Sequence, residues 1–363
     1  MSKRFYRPEL DALRFFAFAC IFCAHMPLTA HWYQLIRESG TDGMCMFFML
    51  SAYLIVSILL REREATGTVN WKAFAIRRIL RIWPLYFAVL FLGVALRRFW
   101  PNSYITPRAV IGFCILLGNL VISRRGWIMG PLAPLWSLSV EEQFYLGVPM
   151  MARTCSRRTM ATICGVTIIV AYITLFSLGS KNIIPVQQVW TNSFVQFQFF
   201  AVGCLLALWM HGRQLRLSSP FRIMLAAAGI AQWLVANGVF HLHSYQMGAA
   251  NRFQLMCGYA LLLVGTTMIF LAVINAKWRI PHAIIYLGKI SYGLYVFHAF
   301  FVYLIFYPMN ESSPMHYFQS HKVVGIVLSF CLTVAASALS YHFFERPILK
   351  FKERFETIHT RPA

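Results

Sequence analysis

Arg14 and His25 stand in one apolar stretch, "LDALRFFAFACIFCAHM", residues 10–26. In a helix their separation amounts to roughly 1100° of rotation, which puts both on one face within about 20° and about 16 Å apart along the axis. Histidine, with an ordinary pKa of about 6.5, is the side chain suited to taking a proton from a hydroxyl at neutral pH. Asp11, three residues before Arg14, is placed to pair with it. An arginine inside a spanning helix costs about 2.5–3.5 kcal/mol. Either function repays that cost, or Arg14 snorkels to the surface and His25 is interfacial.

Three further stretches carry the same ambiguity. In "WKAFAIRRILRIWPLYFAVL", Arg78 and Arg81 sit three residues apart at the mouth of an apolar helix. They anchor the chain at a membrane surface, or their planar guanidiniums hold phosphate oxygens. "PLWSLSVEEQFYLGVP" crowds Trp136, Ser139, Glu141, Glu142 and Tyr145 into the start of another helix. Acids near a helix start suit the macrodipole, yet adjacent carboxylates entering an apolar helix are costly enough to favour a functional role. "LGKISYGLYVFHAFF" adds Tyr292, Tyr295 and His298. A lone histidine such as His298 is more often a hydrogen-bonded packing residue than a catalyst.

The elements that must position these groups are membrane helices. The 363 residues are 59% hydrophobic and only 12% charged, with mean hydropathy +0.60, against about 25% charged in a soluble domain. The net charge of +21 comes from cations in short loops between apolar runs, the distribution of the positive-inside rule. That accounts for the basicity without nucleic acid. The nine cysteines are an odd number and fall mostly in apolar runs, with Cys20 and Cys23 alone in C-x-x-C spacing, and suggest packing residues rather than a disulfide framework. The N-terminus has no signal-peptide cleavage pattern, so the first apolar run is expected to stay as a helix.

Basic clusters mark candidate cytoplasmic segments: Lys3, Arg4 and Arg7; 61–81; 153–158; 213–222; Lys277 and Arg279; 346–354. Most intervals supply two apolar runs, for example 12–28 and 43–60, or 283–307 and 322–343. Between Arg81 and Arg153 there are three: 82–98, 109–123 and 135–151. Making 109–123 re-entrant or surface-lying returns the chain to the cytoplasm and hints at a cavity, because irregular backbone at membrane depth must line one or be buried. The expected fold is an all-α, polytopic membrane helix bundle of about ten crossings with one re-entrant segment and both termini cytoplasmic. Residues 1–363 are expected to form a single domain with no appended soluble domain.

Taken in order, Arg14-x10-His25, "MFFMLSAYLI", Arg78-x-x-Arg81, "WSLSVEEQFYL", "LGKISYGLYVFH" and terminal "FFERPILKFK" resemble the acyltransferase-3 family of integral membrane acyltransferases, over essentially the whole chain. The resemblance implies an inner-membrane O-acyltransferase. Its co-substrate is acyl-CoA, often acetyl-CoA, with no tightly bound cofactor and no metal. The acceptor it implies is a hydroxyl on a glycan or lipid-linked glycan, such as a surface polysaccharide. His25 matches the family's essential histidine, Arg14 its paired basic residue, Arg78 and Arg81 its donor motif, and Glu141, with Glu142 beside it, the glutamate of W-S-L-x-x-E. Where many relatives read G-V-D-x-F-F-x-L-S-G, this chain has Gly43, Met44, Cys45 and Ala52, so roles of that aspartate and second glycine do not carry over.

The expected catalytic residues are therefore His25, Glu141 and Glu142, with a glutamate orienting His25 as it activates the acceptor. The expected substrate- and donor-binding residues are Arg14, Arg78, Arg81, Asp11, Trp136, Ser139, Tyr145 and His298. Direct transfer and an acyl-histidine relay both remain open. Rival classes are a transporter or channel, since charged residues within a membrane also mark solute paths, and an inactive glycan- or lipid-binding member of the same fold. No internal repeat supports a transporter. Acceptor identity, acyl chain length and oligomeric state are not encoded in any motif.

Overall fold

A computed structural model describes residues 5–97, 105–128, 130–179, 185–243, 251–307 and 317–358. Lys3 and Arg4 of the first basic cluster lie outside these. No strand occurs among the described residues.

Helix α1 (Pro8–Ala24) starts on a proline, with Glu9 and Asp11 in its first turn. The proline costs no intrahelical hydrogen bond there and the acids suit the positive helix end. Short α2 (His31–Thr41) turns back along α1 and leads through Asp42 into α3 (Gly43–Thr66). Helix α3 is the axis of the molecule: Met46, Met49, Ala52 and Val56 are fully buried along it. Gly67, at φ 78°, closes it in the left-handed conformation that suits glycine. The Asn70 side chain accepts from Ala73 N–H at 3.0 Å and starts α4 (Trp71–Ala95).

The 109–123 run forms two helices of eight residues each, α5 (Pro107–Cys114) and α6 (Gly118–Arg125). Each is about 12 Å long by helical rise, too short to cross a bilayer. Then come α7 (Leu135–Thr154), α8 (Arg157–Leu178), the short α9 (Val186–Trp190) and α10 (Ser193–Trp209). Next, α11 (Ser219–Gly238) packs on α12 (Arg252–Val273). A Cβ on Gly229 or Gly265 would lie 2.7 Å from the other's carbonyl oxygen. Such close backbone approach is the usual membrane-helix contact, where burial of apolar surface drives nothing and packing does.

Helices α13 (His282–Lys289) and α14 (Ser291–Phe306) meet at a 74° bend. After α15 (Tyr317–Ser320), α16 (Lys322–Leu339) runs through a π-helical turn, Ser340–Glu345, into α17 (Arg346–Lys352). The chain then follows a 3₁₀ turn, Glu353–Phe355. That terminal segment packs against α4, where Arg77 donates to Phe355 O at 2.5 Å and to Glu62 at 3.0 Å.

By length and composition, six helical stretches among the described residues suffice to cross a membrane: His31–Thr66, Trp71–Ala95, Arg157–Leu178, Ser219–Gly238, Arg252–Val273 and Lys322–Phe355. The bent pair α13–α14 makes seven if it is one broken span. This falls short of the ten crossings expected from the basic clusters. Helices α1 and α10 have 17 residues each, and α7 carries Glu141, Glu142 and Gln143 near its middle.

Candidate active site

Asp11 and Arg14 are held by the way α1 meets α13. A Cβ at Gly288 would fall 1.9 Å from Asp11 O, so only glycine lets the two backbones touch there. Behind that contact Asp11 is 1% exposed, and it accepts from Arg14 Nη1 at 2.7 Å. The pairing expected from their spacing is present.

Asp11 and Arg14 line a cavity of about 200 Å³. Arg78 and Arg81 of α4 enter the same space, with Glu141 and Tyr145 of α7. These six residues, drawn from three helices, are the part of the expected site that the fold brings together. The guanidinium of Arg78 lies 5.4 Å from the Phe74 ring centroid and 5.6 Å from that of Tyr145. Such contacts orient a cation without neutralising it. Its Nε is buried without a hydrogen-bond partner, and among the described residues no ion pair holds Arg78. Tyr145 is fixed in turn by a 2.7 Å hydrogen bond between its hydroxyl and Ser51.

Glu141 and Glu142 part company because neighbouring helical residues point about 100° apart. Glu141 faces the cavity, whereas Glu142 turns to α4 and accepts from Trp83 Nε1 at 3.3 Å. Trp136 and Ser139 lie outside the lining. Trp136 packs edge-on against Phe48 and Trp190, and Ser139 Oγ accepts from Gly118 N–H at 3.1 Å, tying α6 to α7. The binding contacts expected of these two are replaced by packing, since the apolar side of α7 is turned to α3 and α6.

The cavity wall also includes Ser137 and Tyr295. The Tyr295 hydroxyl lies 2.7 Å from Pro134 O and 2.8 Å from Ser137 Oγ. Next to Tyr295 sits His298, fully buried, its ring 5.6 Å from the tyrosine ring. The His298 and His25 rings are 4.9 Å apart at 76°. His25 ends α1 as its cap residue and is exposed. Its Nδ1 lies 2.8 Å from Ile21 O, and His298 Nδ1 lies 2.5 Å from Tyr295 O. A carbonyl oxygen only accepts, so each Nδ1 carries the hydrogen and each Nε2 keeps its lone pair. Neither glutamate is bonded to His25. The expectation that a carboxylate orients this imidazole is corrected: the Ile21 carbonyl, left open at the helix end, does so.

Sequence reasoning passed over Ser51, Tyr295 and Lys352 as site residues. All three line the cavity, and Lys352 reaches it from the terminal segment with Glu356 at 2.7 Å. Tyr295 sits one turn before His298, and Ser51 and Lys352 lie within the stretches "MFFMLSAYLI" and "FFERPILKFK". Among the described residues no group of three or more His, Cys, Asp or Glu side chains could hold a metal ion.

The sequence matches a family model described as an acyltransferase domain, of the acyltransferase-3 family, over residues 7–342. It is 28% identical to O-acetyltransferase OatA of Staphylococcus aureus (strain NCTC 8325 / PS 47), over 95% of this chain and 57% of that protein. It is 25% identical to the putative O-acetyltransferase SAS0844 of Staphylococcus aureus (strain MSSA476), over 100% of this chain and 60% of the relative. The chain thus spans less than two thirds of the length of these relatives. No solved structure matches it.

Proposed function

Because the chain belongs to the acyltransferase-3 family, we propose that this multi-pass membrane acyltransferase moves an acetyl group from acetyl-CoA to a hydroxyl of a glycan or glycolipid, such as a surface polysaccharide. The observation that carries this reading is the cavity itself. It holds Arg78, whose guanidinium is in no ion pair among the described residues, together with Arg81 and Arg14. Tyr295 lines it as well, its ring 5.6 Å from that of His298, which is 4.9 Å from that of His25. The proposed donor places its phosphates on the arginines and extends its thioester arm toward the histidines.

His25 does the chemistry in this reading. Its Nδ1–H is occupied by Ile21 O, so Nε2 is the atom that removes the acceptor's proton. The alkoxide oxygen attacks the thioester carbon, the carbon–sulfur bond breaks, and the thiolate recovers the proton from His25. The products are an ester and free CoA thiol. Glu141 and Tyr145 line the path of the arm rather than the reacting atoms.

For topology, we read α1, α7 and α10 as crossings too, because neighbouring helices bury much of their surface, and α5–α6 as a re-entrant pair. This gives about ten spans with both termini in the cytoplasm of a cell whose inner membrane holds the protein. The test of function is transfer by the purified protein in lipid nanodiscs. Labelled acetyl-CoA should lose its acetyl group to an added glycan acceptor, and mass spectrometry should find one acetyl mass gained per site. Donor turnover without ester formation, at every acceptor class tried, would overturn the O-acyl assignment.

A further inference from the structure

We propose that His25 and His298 work as one proton-sharing pair, with His298 acting as a positioning residue that stabilises the protonated form of His25. The proposal rests on the reading of His25 as the base for the acceptor hydroxyl. Its own support is geometric. His298 is 0% exposed, and its Nε2 is a buried nitrogen with no hydrogen-bond partner among the described residues. Such an orphan acceptor in a dry site is costly to keep. Each imidazole has its Nδ1–H committed to a backbone carbonyl, Ile21 O for His25 and Tyr295 O for His298. Both rings are therefore left with an Nε2 lone pair.

Two lone pairs do not bond, so the resting pair has no hydrogen bond between the rings. Adding one proton changes this. A hydrogen bond of ~2.9 Å between two ring nitrogens sets imidazole centroids roughly 5 Å apart, and the observed separation is 4.9 Å. When His25 takes the acceptor's proton on Nε2, a modest ring rotation lets it donate that hydrogen to His298 Nε2. The proton stays shared until the thiolate reclaims it. Nothing is oxidised, and no further reactant is required.

The surroundings leave this task to His298 alone. Phe18 and Tyr295 pack on its ring at 6.1 and 5.6 Å, and Phe330 of α16 packs on Phe22 beneath. Of the titratable groups nearby, Tyr33 of α2 donates to Cys23 O, and the Tyr295 hydroxyl is taken up by Pro134 and Ser137. Cys23, two residues before His25, is exposed. The α2 and α3 carboxylates are bound elsewhere, Glu38 to Gln34 and Asp42 to Asn237 and His243. Glu141 of α7 faces the cavity rather than the pair. No charged side chain among the described residues bonds either ring.

The experiment compares wild type, His298→Ala and His298→Gln in nanodiscs, at matched acetyl-CoA binding, across pH 5 to 9. The pair predicts a 10- to 100-fold lower plateau rate for His298→Ala. The acid limb of its pH profile should also move to lower pH, because the protonated base has lost its acceptor. The glutamine variant, whose amide oxygen can accept, should recover part of both. An alanine variant with the wild-type plateau and acid limb would overturn the pair and leave His298 as packing. A second measurement is independent of transfer: ¹⁵N NMR of histidine-labelled protein, with His25 assigned by its own substitution. His298→Ala should lower the pH at which His25 takes up its proton, and an unmoved titration overturns the proposal. Wild-type protein that shows this coupling yet transfers no acetyl group would count against the acyltransfer reading of His25 instead.

Discussion

The guanidinium of Arg78 rests 5.6 Å from the ring centroid of Tyr145, whose hydroxyl is bonded to Ser51 at 2.7 Å. A chain of two contacts thus runs from α3 through α7 to α4 and fixes a cation in the cavity. An anion arriving there meets a preoriented fork and pays little ordering entropy. Arg78→Ala should weaken acetyl-CoA binding by roughly 10- to 150-fold, the worth of one charge-assisted contact of about 1.5–3 kcal/mol. Arg78→Lys should restore part of it, since an ammonium lacks the planar fork. Equilibrium binding of labelled donor in nanodiscs checks this. Unchanged affinity in an inserted variant removes Arg78 from the donor site.

His25→Ala should reduce acetyl transfer by ~10²–10⁴-fold while donor binding stays within a few-fold of wild type. The separation of the two effects matters, because His25 is exposed at the end of α1, away from Arg78. Parallel assays of transfer and donor affinity, at equal protein levels, decide it. Robust transfer by the variant would return His25 to an interfacial role.

Gly288→Ala tests how the site is held rather than what it does. The added methyl would fall 1.9 Å from Asp11 O, and two backbones must separate to admit it. Overpacking of this kind typically costs 1–3 kcal/mol. Thermal unfolding should shift to lower temperature, and donor binding should weaken because Asp11 and Arg14 move with α1. Wild-type values for both would show that α13 yields without disturbing α1.

Asp11→Ala leaves Arg14, which is 22% exposed in its side chain, without the carboxylate 2.7 Å away. Removing one partner of a mostly buried pair costs more than replacing both. The single variant should therefore be less stable than Asp11→Ala combined with Arg14→Met, by on the order of 1–2 kcal/mol after allowing for solvent around the arginine. Chemical denaturation of the detergent-solubilised variants gives the comparison. Equal stabilities would mean the pair is not coupled.

For topology, single cysteines placed near Arg7 and near Phe355, in a background cleared of native thiols, should react from the same side of the membrane. Arg77, which lines the cavity, donates to Phe355 O, and Arg7 lines that cavity as well, so Arg7 and Phe355 both lie beside one cavity. Labelling from opposite faces would break the even number of crossings.

Much of this site was legible because helical period is a local property. Arg14 pairs with Asp11 three residues away, and Arg78 and Arg81 share a cavity, as their spacing foretold. The membrane class was legible from charge content, since few charges and long apolar runs admit no other solvent. The crossing number was not, because positive-inside counting assigns sides to loops but says nothing of helix length. Helices α1 and α10 stop at 17 residues.

By itself, then, the sequence determined that His25 lies on the Arg14 face of α1, and that Glu141 and Glu142 diverge by about 100°. Only the tertiary structure decided which glutamate meets the cavity, because that depends on α4 placing Trp83 against Glu142. It alone put His298 4.9 Å from His25, helices from opposite ends of the chain. No pattern in either segment encodes that distance. It follows from α14 packing on α1 after the bend at Ile290, and contacts between distant segments are set by how whole helices fit, not by the spacing within any one of them.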